Sequence, residues 1–271
     1  MMILLNKNYI LTCYKARRPD THKGDYGHAL LIAGSADKMG AAVIASKACL
    51  RSGAGLLTVL TSKSQAWPLQ TCIPEAMLLF ELPQTFKYSA IGIGPGIGTG
   101  TDSKDVCSKI INEAHCPLVI DADALNMLAN NQHMLGTLPA NTILTPHAKE
   151  FDRLFGIHSN EQERVLTAKQ ISKEYNIIIV LKGHETKIIH QDQVYQNTTG
   201  NAGLAKGGAG DALTGMVTAF LAQGYTPLKS AILGVYLHGL AADITLQSQS
   251  VESMLITDVI EHIGDAFKTL L

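Results

Sequence analysis

The chain has 271 residues, and its 22 basic and 23 acidic residues leave a formal net charge of −1. The composition argues against a nucleic-acid partner for three reasons: the charge is nearly balanced, the basic residues form no runs, and only 6% of the residues are aromatic. Five cysteines without a C-x-x-C pair predict reduced thiols instead of a disulfide frame or a zinc site. Since no apolar run reaches membrane-spanning length, we expect a cytoplasmic protein with no membrane partner and a single domain over residues 1–271.

The first elements in chain order predict a parallel sheet. After a short N-terminal helix and a loop, A-L-L-I-A-G at 29–34 is typical of a buried strand that ends on glycine. A helix rich in small residues follows, ends at Gly53, and leads into the strand L-L-T-V-L at 56–60. Strand, helix and strand make a βαβ unit, whose parallel strands collect ligands at their carboxyl ends. Small residues at 40–42 would let this helix, or a ligand, approach the sheet closely.

A second glycine-rich segment, I-G-I-G-P-G-I-G-T-G at 91–100, follows another predicted strand. It carries glycine spacing like that of a dinucleotide-binding turn, but no well-placed acidic residue follows about twenty residues later, and Pro95 alters the turn. The turn is either a ligand contact or a tight strand-to-helix connection without a ligand.

The segment C-P-L-V-I-D-A-D-A-L-N at 116–126 predicts a strand that ends in two carboxylates, Asp121 and Asp123. Acidic groups at the carboxyl edge of a parallel sheet are placed to bind Mg²⁺ directly or through water, because Mg²⁺ prefers oxygen ligands and retains several waters. The alternative for Asp123 is that it caps a helix beginning at Ala124.

Two further candidates follow strand ends. His147 stands just past the strand T-I-L-T, where it either has a structural role, hydrogen-bonds a ribose or an amide, or transfers a proton. Residues 177–190 predict a buried strand, a turn at Gly183 and a second strand. Lys182 and Thr186 flank this turn, which either offers a cation and backbone donors to phosphates or is an exposed, charged hairpin.

The glycine-dense loop at 197–215, N-T-T-G-N-A-G-L-A-K-G-G-A-G-D-A-L-T-G, runs into an apolar helix that we expect to begin at Asp211. Glycines let backbone N–H groups approach a ligand, and a helix N-terminus adds unpaired donors, so the loop predicts a phosphate site. Asp211 is either the helix N-cap or a general base for a hydroxyl that attacks a phosphoryl group. Of the two helices that follow, the second carries His238, which we expect to be a buried, hydrogen-bonded core residue.

A series of segments carries a family resemblance in this order: H-K-G-x-Y-G, L-L-I-A-G-S, L-R-S-G-A-G-L, G-I-G-P-G, V-I-D-A-D-A-L, L-T-P-H, V-L-K-G-H-E-T and the glycine-dense loop. The set is similar to the ADP/ATP-dependent NAD(P)H-hydrate dehydratase family of the ribokinase-like superfamily, over about residues 22–238. The resemblance implies an α/β protein with a ribokinase-like three-layer α/β/α fold and a mostly parallel central sheet.

The resemblance also implies a repair reaction, in which the nicotinamide ring of NADH or NADPH is restored after damage by addition of water. ADP or ATP would phosphorylate the ring hydroxyl of the S form of NADH hydrate or NADPH hydrate and release AMP or ADP; phosphate would then leave and restore the ring double bond. Mg²⁺ is the implied cofactor. The family leads us to expect a homo-oligomer, with a tetramer as the first guess. Because the chain starts almost at the first motif, we expect a separate NAD(P)H-hydrate epimerase.

The resemblance assigns site residues at the matching positions, with Asp211 as the catalytic base. The hydrated dinucleotide would contact Gly40, Ala41, Ala42, Gly94, Pro95, Gly96, His147 and Asp211. The adenine nucleotide would contact Lys182, Gly183, His184, Glu185, Thr186, Gly207, Gly208, Ala209 and Gly210, the last four through an anion hole of backbone amides. Two positions depart from the family pattern: Ala209 stands where Thr or Ser is usual, and Ala148-Lys149 where Pro-Gly is common.

Two other functions share parts of this pattern. A ribokinase-like kinase of a small vitamin-precursor alcohol would have the same fold and the same G-x-G-D loop, whereas the G-P-G turn, T-P-H and K-G-H-E-T favour the dehydratase. A nucleotide-binding regulatory protein without catalysis could also retain the glycine loop and Asp211.

Overall fold

The structure, a computed structural model, describes residues 2–82 and 87–271. Its strands are β1 Met2–Leu5, β2 His28–Ile32, β3 Leu56–Leu60, β4 Met77–Leu79, β5 Ala90–Ile93, β6 Leu118–Ile120, β7 Ile143–Leu144, β8 Ile178–Leu181, β9 Lys187–His190 and β10 Gln193–Asn197. Its helices are α1 Lys7–Cys13, α2 Met39–Arg51, α3 Trp67–Cys72, α4 Thr101–Glu113, α5 Ala122–Asn130, α6 Ala148–Phe155, α7 Glu161–Tyr175, α8 Ala209–Ala222, α9 Pro227–Thr245, α10 Ile256–Glu261 and α11 Ile263–Lys268. None of the helices in these described ranges has the length and apolar composition needed to cross a bilayer.

The strands form one sheet that is parallel except at β9. The order is β1-β10-β9-β8-β7-β6-β5-β2-β3-β4, and β9 runs antiparallel to both β8 and β10. Strand β9 reverses direction because only residues 182–186 connect it to β8 and only residues 191–192 to β10, too few for the crossover helix of a parallel connection. The predicted mostly parallel sheet and the predicted hairpin are both confirmed.

Alternate residues of the central strands face two separate cores. In β2, Leu31 packs in one core, while Leu30 and Ile32 pack in the other. The first core is shared with α2, α8, α9, α10 and α11, and the second with α4, α5, α6 and α7. Because both faces are covered, the strands read as continuous apolar runs in the sequence. The three-layer α/β/α architecture is therefore confirmed, as is the βαβ unit of β2, α2 and β3.

The structure differs from the sequence prediction in one place and excludes two alternatives that the sequence left open. Residues 2–5, in a segment predicted to be a short helix and a loop, form β1, which pairs in parallel with β10. Helix α5 begins at Ala122, so Asp123 lies in its first turn instead of capping it. Helix α8 begins at Ala209, so Asp211 is not its N-cap. The N-cap is Gly208, whose φ of +95° is a left-handed conformation that glycine adopts at little cost, and this moves the helix start upstream of Asp211.

The carboxyl ends of four neighbouring strands carry predicted site residues. Gly94 follows β5, Asp121 follows β6, His147 lies just past β7 and Lys182 follows β8. Strands β5 to β8 are adjacent in the sheet, and His147 and Lys182 form a parallel bridge that extends the pairing of β7 and β8. Groups that are distant in sequence thus meet at one edge of the sheet.

Candidate active site

A buried ion pair joins two of these strand ends. The Nζ atom of Lys182 lies 2.8 Å from Asp121 Oδ1 and 3.8 Å from Glu150 Oε2. The other oxygen of Asp121 accepts a 2.8 Å hydrogen bond from Thr214 Oγ1 on α8. The Asp121 side chain is only 1% exposed, so both of its oxygens are engaged within the protein. The pair therefore links β6, β8 and α8.

Burial and charge act in opposite directions on this pair. Burial raises the pKa of Asp121, but Lys182 and the hydroxyl donors Thr214 and Thr145 outweigh it and bring the pKa below its usual value. Burial lowers the pKa of Lys182, but the negative charges of Asp121 and Glu150 outweigh it and raise the pKa. Both groups are therefore charged at neutral pH.

The first turn of α8 lies beside this ion pair. Its N-cap, Gly208, has no side chain to accept hydrogen bonds from the first backbone N–H groups of the helix. A β-carbon at Gly210 would lie 3.2 Å from Lys182 Nζ and 3.4 Å from Asp121 Oδ2, so glycine keeps the helix start close to the lysine. Uncapped N–H groups, the positive end of the helix dipole and the Lys182 ammonium together make a site for an anion.

Asp211 follows Gly210 in this turn and is partly buried. Burial, and then the negative charge of Asp121, raise the pKa of Asp211 to about 6, although Lys182 acts in the opposite direction. In the described part of the chain its carboxylate has no hydrogen-bond or ion-pair partner. A partly buried carboxylate that titrates near neutral pH suits a general base.

Asp123 is engaged by a different lysine. Its Oδ2 atom lies 3.1 Å from Lys38 Nζ and accepts a 2.9 Å hydrogen bond from the Gly98 N–H. Ala122, between the two carboxylates, has a left-handed φ of +47°. Over residues 2–82 and 87–271, no three histidine, cysteine or acidic side chains are grouped as a metal site. Because Asp121 and Asp123 are each paired with a lysine, they do not fit a Mg²⁺ ion held jointly between them.

The predicted dinucleotide contacts of α2 and of the glycine turn lie against each other. A β-carbon at Gly96 would lie 2.9 Å from Ala41 Cβ, so the turn and the start of α2 touch there. Gly40 is exposed and Ala41 is partly buried, whereas Ala42 is fully buried. The turn itself, Gly94, Pro95 and Gly96, is also buried. The structure thus brings Gly40, Ala41 and the turn together and places Ala42 in the core.

His147 is the N-cap of α6. Its Nδ1 atom accepts hydrogen bonds of 3.1 and 3.2 Å from the backbone N–H groups of Lys149 and Glu150, and Glu150 Oε2 accepts one of 2.8 Å from the His147 N–H. Because Nδ1 accepts, the neutral imidazole carries its proton on Nε2. The side chain is 51% exposed. His147 therefore has a structural role, and its Nε2, 3.5 Å from Glu150 Oε1, lies at the sheet edge.

A cavity of about 480 Å³ opens beside the first turn of α8. This volume falls in the range of sites that bind small molecules, roughly 300–1,000 Å³. The predicted nucleotide contacts in its lining are Lys182, Gly183, His184, Thr186, Ala209 and Gly210. Glu185, Gly207 and Gly208 are not part of the lining. Glu185 lies instead near Lys187, with 3.9 Å between the carboxylate oxygen and the ammonium nitrogen.

The rest of the cavity wall comes from the end of β10, the glycine-dense loop, the start of α8 and α9. The sequence predicted the loop as a phosphate site, but it did not single out these individual residues and did not place α9 at the site. Asp243 of α9 accepts hydrogen bonds of 2.8 and 3.0 Å from the Gly200 N–H and the Asn201 side-chain amide. Gly239 of α9 packs closely against Thr199, and a glycine inside an apolar helix was the available signal for such an approach. The missed lining residues are Asn197, Thr199, Gly200, Asn201, Ala202, Leu204, Ala205, Leu213, Val235, His238 and Gly239.

The hydrogen bonding of His238, in this wall, and of Lys206, in the glycine-dense loop, was not expected from the sequence. His238 is buried, as predicted, but its Nε2 has no hydrogen-bond partner among the described residues, so the prediction that it is hydrogen-bonded was wrong. Lys206 of the glycine loop donates hydrogen bonds of 2.6 and 2.7 Å to the carbonyl oxygens of Glu252 and Met254. Lys206 therefore anchors the loop to the segment after α9.

Known proteins resemble the chain in sequence over most of its length. The model of the Carb_kinase family, described as NAD(P)H-hydrate dehydratase, matches residues 29–264. The ADP-dependent (S)-NAD(P)H-hydrate dehydratase of Bacillus subtilis is 36% identical over 267 residues, covering 93% of this chain and 94% of that protein. The bifunctional NAD(P)H-hydrate repair enzyme Nnr of Escherichia coli is 37% identical over 253 residues, covering 90% of this chain and 48% of that protein. The chain thus spans about half the length of the bifunctional relative.

The fold of the chain also resembles that of a solved structure of a related protein. The crystal structure of ADP/ATP-dependent NAD(P)H-hydrate dehydratase from Bacillus subtilis, co-crystallised with ATP and Mg²⁺, matches with a TM-score of 0.87 and 31% identity over 99% of both chains. Sequence, fold and the order of the motifs agree, and the chain belongs to the NAD(P)H-hydrate dehydratase family.

Proposed function

We propose that this protein is an ADP- or ATP-dependent dehydratase that restores NADH and NADPH from the S forms of NADH hydrate and NADPH hydrate. The observation that carries the proposal is Asp211, a partly buried carboxylate with a pKa raised to about 6, next to an anion site and a ligand-sized cavity. The names of the related proteins support the substrate and the nucleotide.

The nucleotide occupies the cavity, with its phosphates against the first turn of α8. The uncapped backbone N–H groups of this turn and the Lys182 ammonium offset the phosphate charge, whereas the Ala209 N–H already donates to the Lys206 carbonyl, 3.4 Å away. Ala209 also lacks the hydroxyl of the usual Thr or Ser, so it adds no side-chain contact. Asp121 holds Lys182 in place and keeps it protonated across the neutral range.

Asp211 accepts the proton of the ring hydroxyl while the hydroxyl oxygen attacks the terminal phosphorus of the nucleotide. The O–H bond breaks and an O–P bond forms, while the bond from phosphorus to the bridging oxygen breaks and AMP or ADP leaves. The C–O bond of the ring then breaks with phosphate as the leaving group. Loss of a proton from the adjacent ring carbon forms the double bond, so the products are NADH or NADPH, phosphate, and AMP or ADP.

The hydrated dinucleotide lies along Gly40, Ala41 and the turn at 94–96, with the His147 Nε2–H as a donor to a ribose or amide oxygen. The pKa of Asp211 responds first to burial, then to Asp121 and Lys182, and also to Asp123, which pairs with Lys38 next to α2. This supports a position of Asp211 between the nucleotide cavity and the proposed dinucleotide surface.

Mg²⁺ enters this proposal only with the nucleotide. Because Asp121 and Asp123 are each paired with a lysine, no step is assigned to a metal ion held by them. Mg²⁺ bound with the nucleotide would offset phosphate charge and, because it keeps several waters, would need few protein ligands. The proposal also includes a homo-oligomer and a functional link to an NAD(P)H-hydrate epimerase, both of which rest on the family resemblance. The single domain and the cytoplasmic location rest on the length and composition of the chain.

The decisive experiment follows the return of dihydronicotinamide absorbance. Purified protein is incubated with NADH hydrate or NADPH hydrate and Mg²⁺, with ADP, with ATP or without a nucleotide. Recovery that requires a nucleotide is the expected result, and its rate with each combination gives the nucleotide and substrate preferences.

No recovery with either nucleotide, from protein that binds ADP, would overturn the proposal. The competing function, phosphorylation of a small alcohol, would then be tested by looking for a stable phosphoester product.

A further inference from the structure

One lysine of the glycine-dense loop binds the backbone of a distant segment. Lys206 Nζ donates a 2.6 Å hydrogen bond to the Glu252 carbonyl and a 2.7 Å one to the Met254 carbonyl. Both carbonyls belong to residues 251–255, which lie between α9 and α10 outside any helix or strand, so they need donors from elsewhere. An ammonium has three N–H donors and a full charge, which makes these hydrogen bonds the stronger, charge-assisted kind. Lys206 thus ties the loop to a segment 46 and 48 positions away in the chain.

Close contacts on both sides of Lys206 join the same two segments. Gly203 packs so tightly against the buried Met254 side chain that a β-carbon at Gly203 would clash with it. A β-carbon at Gly208 would lie 3.7 Å from Ile256, the first residue of α10. The ammonium of Lys206 is therefore the polar part of one continuous interface between the loop and the start of α10.

Lys206 lies directly before the turn that begins α8. Its carbonyl accepts a hydrogen bond from the Ala209 N–H at 3.4 Å, and the N-cap Gly208 is only two positions further along the chain. Ala205 and Ala209 line the cavity, whereas Lys206 between them does not. The proposed phosphate site consists of N–H groups in the first turn of α8, so the place where this turn is held decides where the phosphates bind.

We propose that Lys206 is a positioning residue for phosphoryl transfer: its hydrogen bonds to residues 252 and 254 hold the first turn of α8, and Asp211 with it, in the place that transfer requires. Lys206 acts through the loop and is not a ligand of the phosphates. Transfer depends on the alignment of the attacking oxygen with the phosphorus, and a displacement of about 1 Å can cost about 10²-fold in rate. This inference rests on the proposed function and adds to it the group that holds the site in place.

The test compares kcat with the Kd of ADP in variants of Lys206. Lys206→Met keeps the length of the side chain but has no donor, and we expect its kcat to fall about 10–100-fold. Its Kd for ADP should rise by no more than about threefold, because the cavity lining is kept. Lys206→Arg keeps the charge and the donors, and its kcat should exceed that of Lys206→Met about tenfold.

Chemical rescue separates the ammonium from the packing of the side chain. Lys206→Ala removes the three outer methylene groups and the ammonium, which together have the structure of propylammonium. Added propylammonium should raise the kcat of this variant about tenfold, because it returns the charged donor to the two carbonyls. Propanol, which is uncharged and of similar size, should have no effect on kcat.

The matched control is Arg17→Met. Arg17 also donates from its cationic group to a backbone carbonyl, that of Gly53, but it does so beside Gln223 at the other end of α8. This variant should keep the wild-type kcat and Kd for ADP. Thermal unfolding shows whether each variant is folded at the assay temperature, and Lys206→Gln, whose neutral amide still donates, replaces Lys206→Met if that variant is unfolded.

A kcat of folded Lys206→Met within about twofold of the wild-type value would overturn the inference, and so would an equal fall in Arg17→Met. A folded Lys206→Ala variant that does not respond to propylammonium would show that the ammonium does not position the loop, which would also overturn it. These outcomes leave the proposed function standing, because the wild type still restores NADH. A wild-type protein without nucleotide-dependent recovery would instead overturn the proposed function, and this inference with it.

Discussion

Asp121 and Asp211 carry the same carboxylate in two different regions at one edge of the sheet. Asp121 follows a central strand, is almost fully buried and is held by Lys182 and Thr214. Asp211 lies in the first turn of α8, is partly buried and has no such partner among the described residues. Burial raises the pKa of both, but the partners of Asp121 reverse the effect, whereas the pKa of Asp211 rises to about 6.

The comparison shows that burial alone does not decide what a carboxylate does. A buried carboxylate with a cation and hydroxyl donors stays ionised and acts as a fixed negative charge. A neighbouring carboxylate without partners is left able to exchange a proton near neutral pH. The fixed charge of Asp121 also contributes to the raised pKa of Asp211, so the two regions are coupled.

The largest expected effect is the loss of turnover when Asp211 can no longer exchange a proton. Asp211→Asn removes the proposed base but keeps the shape of the side chain, so we expect kcat to fall roughly 10²–10⁴-fold. The Kd of ADP should rise by no more than about twofold, because the cavity does not include this side chain. Absorbance recovery with NADH hydrate and a direct ADP titration measure the two quantities. Turnover at the wild-type rate would show that Asp211 is not the base.

The next largest effect is the loss of stability when the fixed negative charge of Asp121 is removed. In Asp121→Asn the ion-pair partner left to the Lys182 ammonium among the described residues is Glu150, at 3.8 Å. We expect the free energy of unfolding to fall by about 3 kcal/mol, because the variant breaks a buried pair. This is the low end of the range for such pairs, since Lys182 is partly exposed. Urea unfolding at neutral pH measures the change. A loss below about 0.5 kcal/mol, the scale of an exposed pair, would mean that the ion pair is not buried in solution.

The coupling between the two regions should appear in the pH profile of kcat/KM. Asp211 acts as a base only when ionised. On the acidic limb of the profile, kcat/KM should therefore fall about tenfold per pH unit below about pH 6, and it should not change with pH above that value. Asp121→Asn removes a negative charge that raises the pKa of Asp211 and should move this limb to lower pH. Asp152→Asn is the matched control, since it breaks the pair with Arg164 away from the site and should leave the limb in place. An unmoved limb in Asp121→Asn would disprove the coupling.

The smallest effect concerns stability. The pKa of Asp211 is higher in the folded state than its usual 3.8. Between about pH 4 and 6 the folded state therefore binds more protons than the unfolded state. As the pH rises through this window, the protein loses the stability that Asp211 contributes when protonated. Asp211→Asn lacks this effect and should be more stable than the wild type at about pH 7.5. The full shift corresponds to about 3 kcal/mol, but solvent screens a partly exposed carboxylate, so we expect about 1 kcal/mol. Thermal unfolding from pH 4 to pH 7.5 should show the difference shrinking toward pH 4. A variant that is less stable at pH 7.5 would contradict the raised pKa.

Much of the fold could be predicted because the strands of a covered parallel sheet are apolar throughout and alternate with helices in a regular order. The candidate groups Gly94, Asp121, His147 and Lys182 could be placed at one edge for the same reason, since each follows a strand. The first residues of α5 and α8 were harder to predict, because they depend on a left-handed backbone conformation at Ala122 and Gly208 that residue types alone do not specify.

The sequence by itself determined the layered α/β fold, the glycine loop and the family, because these depend on local patterns in a fixed order. Only the tertiary structure decided that Lys182 pairs with Asp121, that Asp123 pairs with Lys38 and that His238 Nε2 is buried with no hydrogen-bond partner among residues 2–82 and 87–271. The physical reason is that partners, burial and the resulting pKa values arise between segments far apart in the chain: Lys182 and Asp121 are separated by 61 positions, and their charges meet only when the sheet forms.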